Sequence, residues 1–313
     1  MNLIRALRRA VASTLLALIP LAASADEQQV RVVASFSILG NMVEEVLGDF
    51  ARVSTIVGPD ADAHIYEPTV ADAKAVAAAD VIFVNGLGFE TWSRTLITES
   101  GTRAAVHVVT EGIAPITVDG SIDPHAWNSL TNGATYVRNI ARVMTSVMPE
   151  HAEAIEANAG AFIAELDALD AETRTRLAGL PADRRTVVTA HDAFGYLEAA
   201  YGLTFLAPQG IDTEGEPSAR ELAILIKQLR SEGASALFVE NIASPALVRQ
   251  ISEETGIAIG GRLISDALSE RGGPATSYLA MFRHNMTTLM GALQTPASPA
   301  ERNEENGHVA RQK

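Results

Sequence analysis

Residues 150–178 contain no proline and carry apolar side chains at helical spacing, and a continuous helix of that length is the strongest constraint on this chain. Ile155, Phe162, Ile163, Leu166 and Leu169 form its apolar face, and Gly179 and Pro181 end it. A helix longer than most would have to bridge something. On each side of it, short β-branched runs alternate with amphipathic ones, a βαβα pattern that predicts a parallel sheet flanked by helices. The expected fold is α/β: two Rossmann-like lobes with parallel sheets joined by a long rigid helix. Residues 26–148 form the first lobe, 149–181 the connector and 182–293 the second lobe. The polar, proline-containing residues 294–313 read as a disordered tail.

Before the connector, strands are expected at Val30–Ser35, Val53–Val57, Val81–Val84 and Ala105–Val109, with helices at Ile38–Leu47, near Thr91–Glu99 and at Thr131–Met148. Thr69 opens a further helix through Ala79, with Asp72 completing a capping box. After the connector, strands are expected at Thr186–Thr189, Thr204–Ala207, Ala236–Val239 and Ala258–Gly260. Helices are expected at Ala193–Tyr201, from Ser218 (with Glu221 as box partner) to Ser231, at Pro245–Thr255 and at Ser277–Leu293.

The first 25 residues read differently. Arg5, Arg8 and Arg9 precede an apolar run from Ala10 to Ala22, and Ala23-Ser24-Ala25 is a small-residue cleavage site, so a cleaved secretory leader is expected. The run is shorter than the roughly 20 residues a membrane span needs. Cysteine is absent, which leaves no residue for lipid attachment at the cleavage site and restricts any metal site to His, Asp or Glu. An exported, monomeric protein free of a lipid anchor is the expectation. The net charge of −14 becomes more negative once the three leader arginines are gone, which excludes nucleic acid as a partner and mildly favours cations.

Of seven histidines, three occupy strand-end or loop positions beside other polar residues. His64 lies in Asp62-Ala63-His64-Ile65-Tyr66-Glu67-Pro68, His125 in Asp123-Pro124-His125-Ala126-Trp127, and His191 in Thr189-Ala190-His191-Asp192. Asp266 follows the last predicted strand. In open α/β sheets ligands bind beyond the carboxyl ends of strands, so these four could share a cleft. Three neutral imidazoles and one carboxylate would complete a tetrahedron around Zn(II). No local spacing joins them, and a loop histidine is as readily a surface or capping residue. His107 reads as strand packing, His151 and His284 as helix-surface residues, and His308 as part of the tail.

The wider context sharpens this. Gly58-Pro59-Asp60-Ala61-Asp62-Ala63-His64-Ile65-Tyr66-Glu67-Pro68-Thr69, continuing to Asn85-Gly86-Leu87-Gly88-Phe89-Glu90-Thr91-Trp92, closely resembles the zinc/manganese-type periplasmic solute-binding proteins of bacterial ABC transporters. Asp123-Pro124-His125-Ala126-Trp127, His191-Asp192-Ala193-Phe194-Gly195-Tyr196 and Ser265-Asp266-Ala267-Leu268 are similar to that family's other metal segments, in order. The resemblance implies one metal ion between two lobes, ligated by His64, His125, His191 and Asp266, and an inner-membrane ABC permease as partner. His in the third position points to the zinc branch. The short, histidine-free stretch Glu111–Ile122 departs from the His-rich loop of many zinc members, which leaves room for a periplasmic zinc metallochaperone as donor.

Glu240, Asp123 and Asp192 are candidate partners for the ring N–H groups of ligating histidines, and Trp127 and Phe89 are candidates for shielding them. Four protein ligands would saturate Zn(II) and make it cargo, one ion per chain, rather than a catalyst. The competing readings are the same transport role with manganese or iron(II), and an exported zinc-dependent hydrolase with water as fourth ligand. H-E-x-x-H and G-x-S-x-G are both absent from the chain, which leaves the hydrolase without a hydrolytic signature and the chain as a non-enzyme.

Overall fold

The computed structural model describes residues 29–118 and 120–294, so the expected leader lies outside the described residues, as does the expected tail apart from Gln294, which is helical. Two four-stranded parallel sheets stand on either side of a long helix. The first contains β1 (Val30–Phe36), β2 (Ala51–Val57), β3 (Val81–Val84) and β4 (Ala105–Val108), ordered β2-β1-β3-β4. After a two-stranded hairpin of β5 (Thr117–Val118) and β6 (Ser121–Ile122), the second contains β7 (Thr186–Val188), β8 (Thr204–Leu206), β9 (Ala236–Glu240) and β10 (Ile259–Leu263), ordered β10-β9-β7-β8. Both sheets thus run second, first, third, fourth, and each has a switch point beside its first strand. All four residues of β3 are buried, as are the last five of β1. Helices covering both faces of a parallel sheet require such unbroken apolar strands.

Helices α1 (Ser37–Leu47), α2 (Val70–Ala78), α3 (Ser93–Ser100) and α4 (Leu130–Val147) belong to the first half. The expected capping box at Thr69 and Asp72 is present, and so is the one at Ser218 and Glu221. The connector α5 (Ala152–Ala178) follows a short turn at Pro149–His151. At 1.5 Å per residue it spans about 40 Å. Its buried stripe is Ile155, Ala159, Phe162, Leu166, Leu169, Thr173 and Leu177, repeating every three or four residues. Asn158 Nδ2 donates to the Val46 carbonyl of α1 at 3.2 Å. Near the other end, Asp170 accepts from Tyr201 Oη at 2.8 Å and Arg174 donates to the Ala200 carbonyl at 2.8 Å. One helix is therefore fastened to both lobes. His151, expected on the surface, is a correction: its ring is half-buried and stacks on Phe50 with centroids 4.4 Å apart.

The second half carries α6 (Gly195–Tyr201), α7 (Ala219–Glu232), α8 (Ala246–Thr255) and α9 (Tyr278–Gln294). The hairpin β5–β6 has no counterpart in the sequence reading, because two-residue strands leave no periodicity to detect. The role of α9 is also new. Its first residue reaches back into the first lobe: Tyr278 N donates to Asn41 Oδ1 at 2.8 Å and Tyr278 Oη donates to the Trp127 carbonyl at 2.5 Å. Gly133 makes room for that ring, since a Cβ there would stand 2.5 Å from the phenol oxygen. The lobes thus share one continuous apolar core, and a separate small cluster around Leu225, Leu229, Val248 and Ile251 backs the outer face of the second sheet.

Tyr278→Phe leaves the buried Trp127 carbonyl without that donor, and the metal-free protein should lose about 1–3 kcal/mol of stability. Urea unfolding monitored by circular dichroism measures this, and an unchanged midpoint would show that the phenol does not join the lobes.

Candidate metal centre

His64, His125, His191 and Asp266 each sit in a loop leaving the carboxyl end of a sheet. The loop after β2 carries His64. The chain after β4 runs through the hairpin to a tight turn at Ala126–Asn128, just past His125. His191 follows β7, and Asp266 follows β10. All four are buried, and one ligand atom from each lies within 4.8 Å of the others. Asp266 Oδ2 stands 3.2 Å from His64 Nε2, 3.7 Å from His125 Nε2 and 3.1 Å from His191 Nε2. His64 Nε2 and His125 Nε2 are 3.2 Å apart. An ion with bonds near 2.0–2.1 Å has tetrahedral edges of about 3.3–3.4 Å, so these four atoms have the spacing of one coordination shell.

The backbone N–H of every one of the three histidines is held by a carboxylate. Asp62 Oδ1 accepts from His64 N at 2.9 Å, Asp123 Oδ1 from His125 N at 2.9 Å, and Glu240 Oε1 from His191 N at 3.0 Å. Two of these carboxylates also meet the imidazole. His125 Nδ1 lies 2.8 Å from Asp123 Oδ1, and His191 Nδ1 lies 2.5 Å from Glu240 Oε2. A proton kept on Nδ1 by such a partner leaves the Nε2 lone pair facing the cluster. Gly195 is part of this design, because a Cβ there would lie 2.5 Å from Asp123 Oδ2.

Burial disfavours the imidazolium of His125, but Asp266 and Asp123 overcome it and hold its pKa up at about 9. Burial acts the same way on His191, and Glu240 and Asp266 again raise its pKa. For Asp266 burial favours the neutral acid, and the charges of His191 and His125 outweigh it and keep the carboxyl well below its usual range. Without a cation the cluster is thus a carboxylate neutralised by protons on its neighbours. A divalent cation does the same job and displaces those protons.

Aromatic walls close the site. Phe89 meets the His64 ring edge-on at 4.9 Å, and the Trp127 ring centroid is 5.2 Å from that of His125. Both side chains are fully buried. Trp127 also clips the lobes together, since its Nε1 donates to the Ser265 carbonyl at 2.9 Å. The next residue does likewise, Asn128 Nδ2 donating to the Ala193 carbonyl at 2.9 Å. One segment, residues 123–128, therefore carries His125 and positions the loops of His191 and Asp266. A cleft of about 960 Å³ opens beside His64 between the hairpin and the loop after β8.

The structure brings together His64, His125, His191 and Asp266, and places Asp123 and Glu240 behind two of the rings. Asp192 is a correction: it lines the cleft, and its carboxylate makes no hydrogen bond to a histidine ring among the described residues. His107 is half-buried in β4 against Phe83, and His284 touches the Arg262 carbonyl at 3.0 Å. Asp62, Asn128 and Ser265 were not singled out. The signal for Asp62 was available in the repeated Asp-x-His of residues 62–64 and 123–125.

Comparison with known proteins gives the family of the chain. The profile of the family described as zinc-uptake complex component A, periplasmic, matches residues 32–292. The iron-binding protein YfeA of Yersinia pestis is 34% identical over 266 residues, 83% of this chain and 85% of that protein. The manganese ABC transporter substrate-binding lipoprotein PsaA of Streptococcus mitis is 31% identical, covering 86% and 91%. Among solved structures, the periplasmic zinc-binding protein TroA of Treponema pallidum superposes with a TM-score of 0.81 at 28% identity over 85% of this chain and 99% of that one. The Mn-bound periplasmic metal-binding protein of candidatus Liberibacter asiaticus gives 0.78 at 31%, over 85% and 100%. The lipoprotein relatives conflict with the expectation of a protein without a lipid anchor, although this sequence contains no cysteine. No described helix is long and apolar enough to cross a membrane. The chain belongs to this family of periplasmic metal-binding proteins, the substrate-binding components of ABC transporters.

Proposed function

We propose that the chain carries one Zn(II) ion as cargo to its permease, held by His64, His125, His191 and Asp266. The observation that carries this reading is the set of inter-ligand distances, 3.1–3.7 Å around Asp266 Oδ2, which are close to the edges of a zinc tetrahedron. Three imidazole nitrogens suit zinc better than manganese, which prefers oxygen donors and higher coordination numbers. The ligands come from four loops on two lobes, so displacing one loop removes a donor and weakens the site. This supplies a route for handing the ion over.

A second reading, manganese or iron(II) as cargo, draws on two observations. Relatives about 30–34% identical are named for those metals. Asp266 Oδ1 is also buried without a hydrogen-bond partner, and a bidentate Asp266 would raise the coordination number above four. Cobalt(II) substitution separates the two. The intense visible bands of tetrahedral cobalt support zinc, and the weak bands of five- or six-coordinate cobalt support the second reading. Metal analysis after dialysis against equal Zn(II) and Mn(II) should find zinc bound, and bound manganese would overturn the proposal.

Replacing His125, His191 or Asp266 by Ala should lower zinc affinity by more than the roughly 10–100-fold that loss of a bracing partner costs. Competition with a chromophoric chelator measures this, and wild-type affinity in any variant removes that residue from the ligand set.

Zinc uptake should also release protons. The pKa of His125 is raised to about 9, so its ring binds a proton in the metal-free protein at neutral pH, and His191 is shifted in the same direction. Apparent affinity should therefore climb as pH rises towards about 9. Stability follows with opposite sign in the metal-free state. A raised pKa contributes stability that is complete below the unfolded value near 6.5 and is lost as pH rises through about 9. Calorimetric titration in buffers of different ionisation enthalpy counts the protons, and a buffer-independent heat at pH 7 would refute this linkage.

A further inference from the structure

We infer that Asp62 is a positioning residue that sets how long the ion stays bound, by tying His64 to the opposite lobe through Thr213. The inference rests on His64 being a ligand. One oxygen of Asp62 accepts the His64 backbone N–H at 2.9 Å, and the other accepts the Thr213 hydroxyl at 2.6 Å. Asp62 belongs to the first lobe and Thr213 to the second, 151 residues later. A single carboxylate thereby links a ligand-bearing loop to the far side of the cleft.

Three features make this link the adjustable one. His64 is the least constrained of the four: it alone retains exposed surface (5%, against 0% for the others), and among the described residues no carboxylate meets its Nδ1 as Asp123 and Glu240 meet those of His125 and His191. The loop that carries Thr213 is thinly supported, with the cleft of about 960 Å³ on one side and a second of about 500 Å³, bordered by Asp62 and Thr213 themselves, on the other. Its remaining hydrogen bonds stay within its own lobe, such as Gln209 Nε2 to the Gly215 carbonyl at 2.7 Å. Among the described residues Thr213 makes this loop's one hydrogen bond to the first lobe.

The neighbouring residue shows the contrast. Asp60, at a left-handed φ of 52°, is fastened to the second lobe by three bonds: its N–H to the Leu268 carbonyl and its carboxylate to Glu270 N, both in the loop of Asp266, and its carboxylate also to Asn241 Nδ2 in the loop after β9. That side of the interface is stitched, whereas the Thr213 side hangs on one charge-assisted bond. Breaking it frees the Thr213 loop to swing into either cleft and loosens the turn that presents His64, without disturbing the other three ligands.

The test is the rate at which excess EDTA strips Zn(II) from the loaded, full-length protein in stopped flow. Thr213→Val keeps the shape and removes the hydroxyl. It should release zinc about tenfold faster, the scale of one charge-assisted hydrogen bond, with the association rate little changed, and Thr213→Ser should restore the wild-type rate. Release from Thr213→Val within twofold of wild type, or failure of Thr213→Ser to restore it, overturns the inference. His64→Ala is run alongside. If it binds zinc as tightly as wild type, the ligand assignment has failed, and if it loses zinc while Thr213→Val releases at the wild-type rate, only the role of Asp62 has failed.

Discussion

A carboxylate with no exposed surface must be neutralised, and Asp266 is the group around which the rest of this protein is arranged. An unpaired buried charge costs several kcal/mol or more. Here three imidazoles face it, and the pKa shifts of His125 and His191 follow from that demand. Protons meet this need in the metal-free cluster, and under the proposed function a metal ion takes their place. The walls of Phe89 and Trp127 keep water from meeting the need instead.

Holding four side chains from separate loops within 4.8 Å of one another requires fixing loops, which are ordinarily the least rigid parts of a fold. The solution repeats. A carboxylate takes the backbone N–H of each histidine, and for His125 and His191 it also takes the ring, so main chain and side chain are fixed by one group. The turn after His125 then holds the other lobe's loops through Trp127 and Asn128. Precision at the site is thus built from hydrogen bonds to backbone groups, which cannot rotate away as side chains can.

Rigidity is not spread evenly. α5 and α9 both fasten the two lobes, and the shared core runs between them, so wholesale hinge motion would break many buried contacts at once. The open clefts lie on the other side, along the loop after β8. Movement of that loop, and of the His64 turn bound to it, costs far less than separation of the lobes. A binding protein that must grip an ion and still surrender it to a permease has use for such a division.

Much of this was legible before folding. The two βα alternations, the uninterrupted connector and both capping boxes are local patterns, since strand and helix periods and N-cap chemistry depend on neighbours a few residues away. The four clustered residues were legible through family motifs, each a short run of sequence. What the tertiary structure decided is everything that joins distant residues. Trp127 meets Ser265 across 138 positions and Asp62 meets Thr213 across 151, and no periodicity records such pairs. The same limit misplaced Asp192, adjacent in sequence to His191 yet facing the cleft, while Glu240 stands behind His191 from a strand 49 residues away. By itself the sequence determined which side chains are able to bind a cation. Only the packing of two sheets about one helix decided that their lone pairs converge, because convergence depends on the directions in which separate loops leave separate strands.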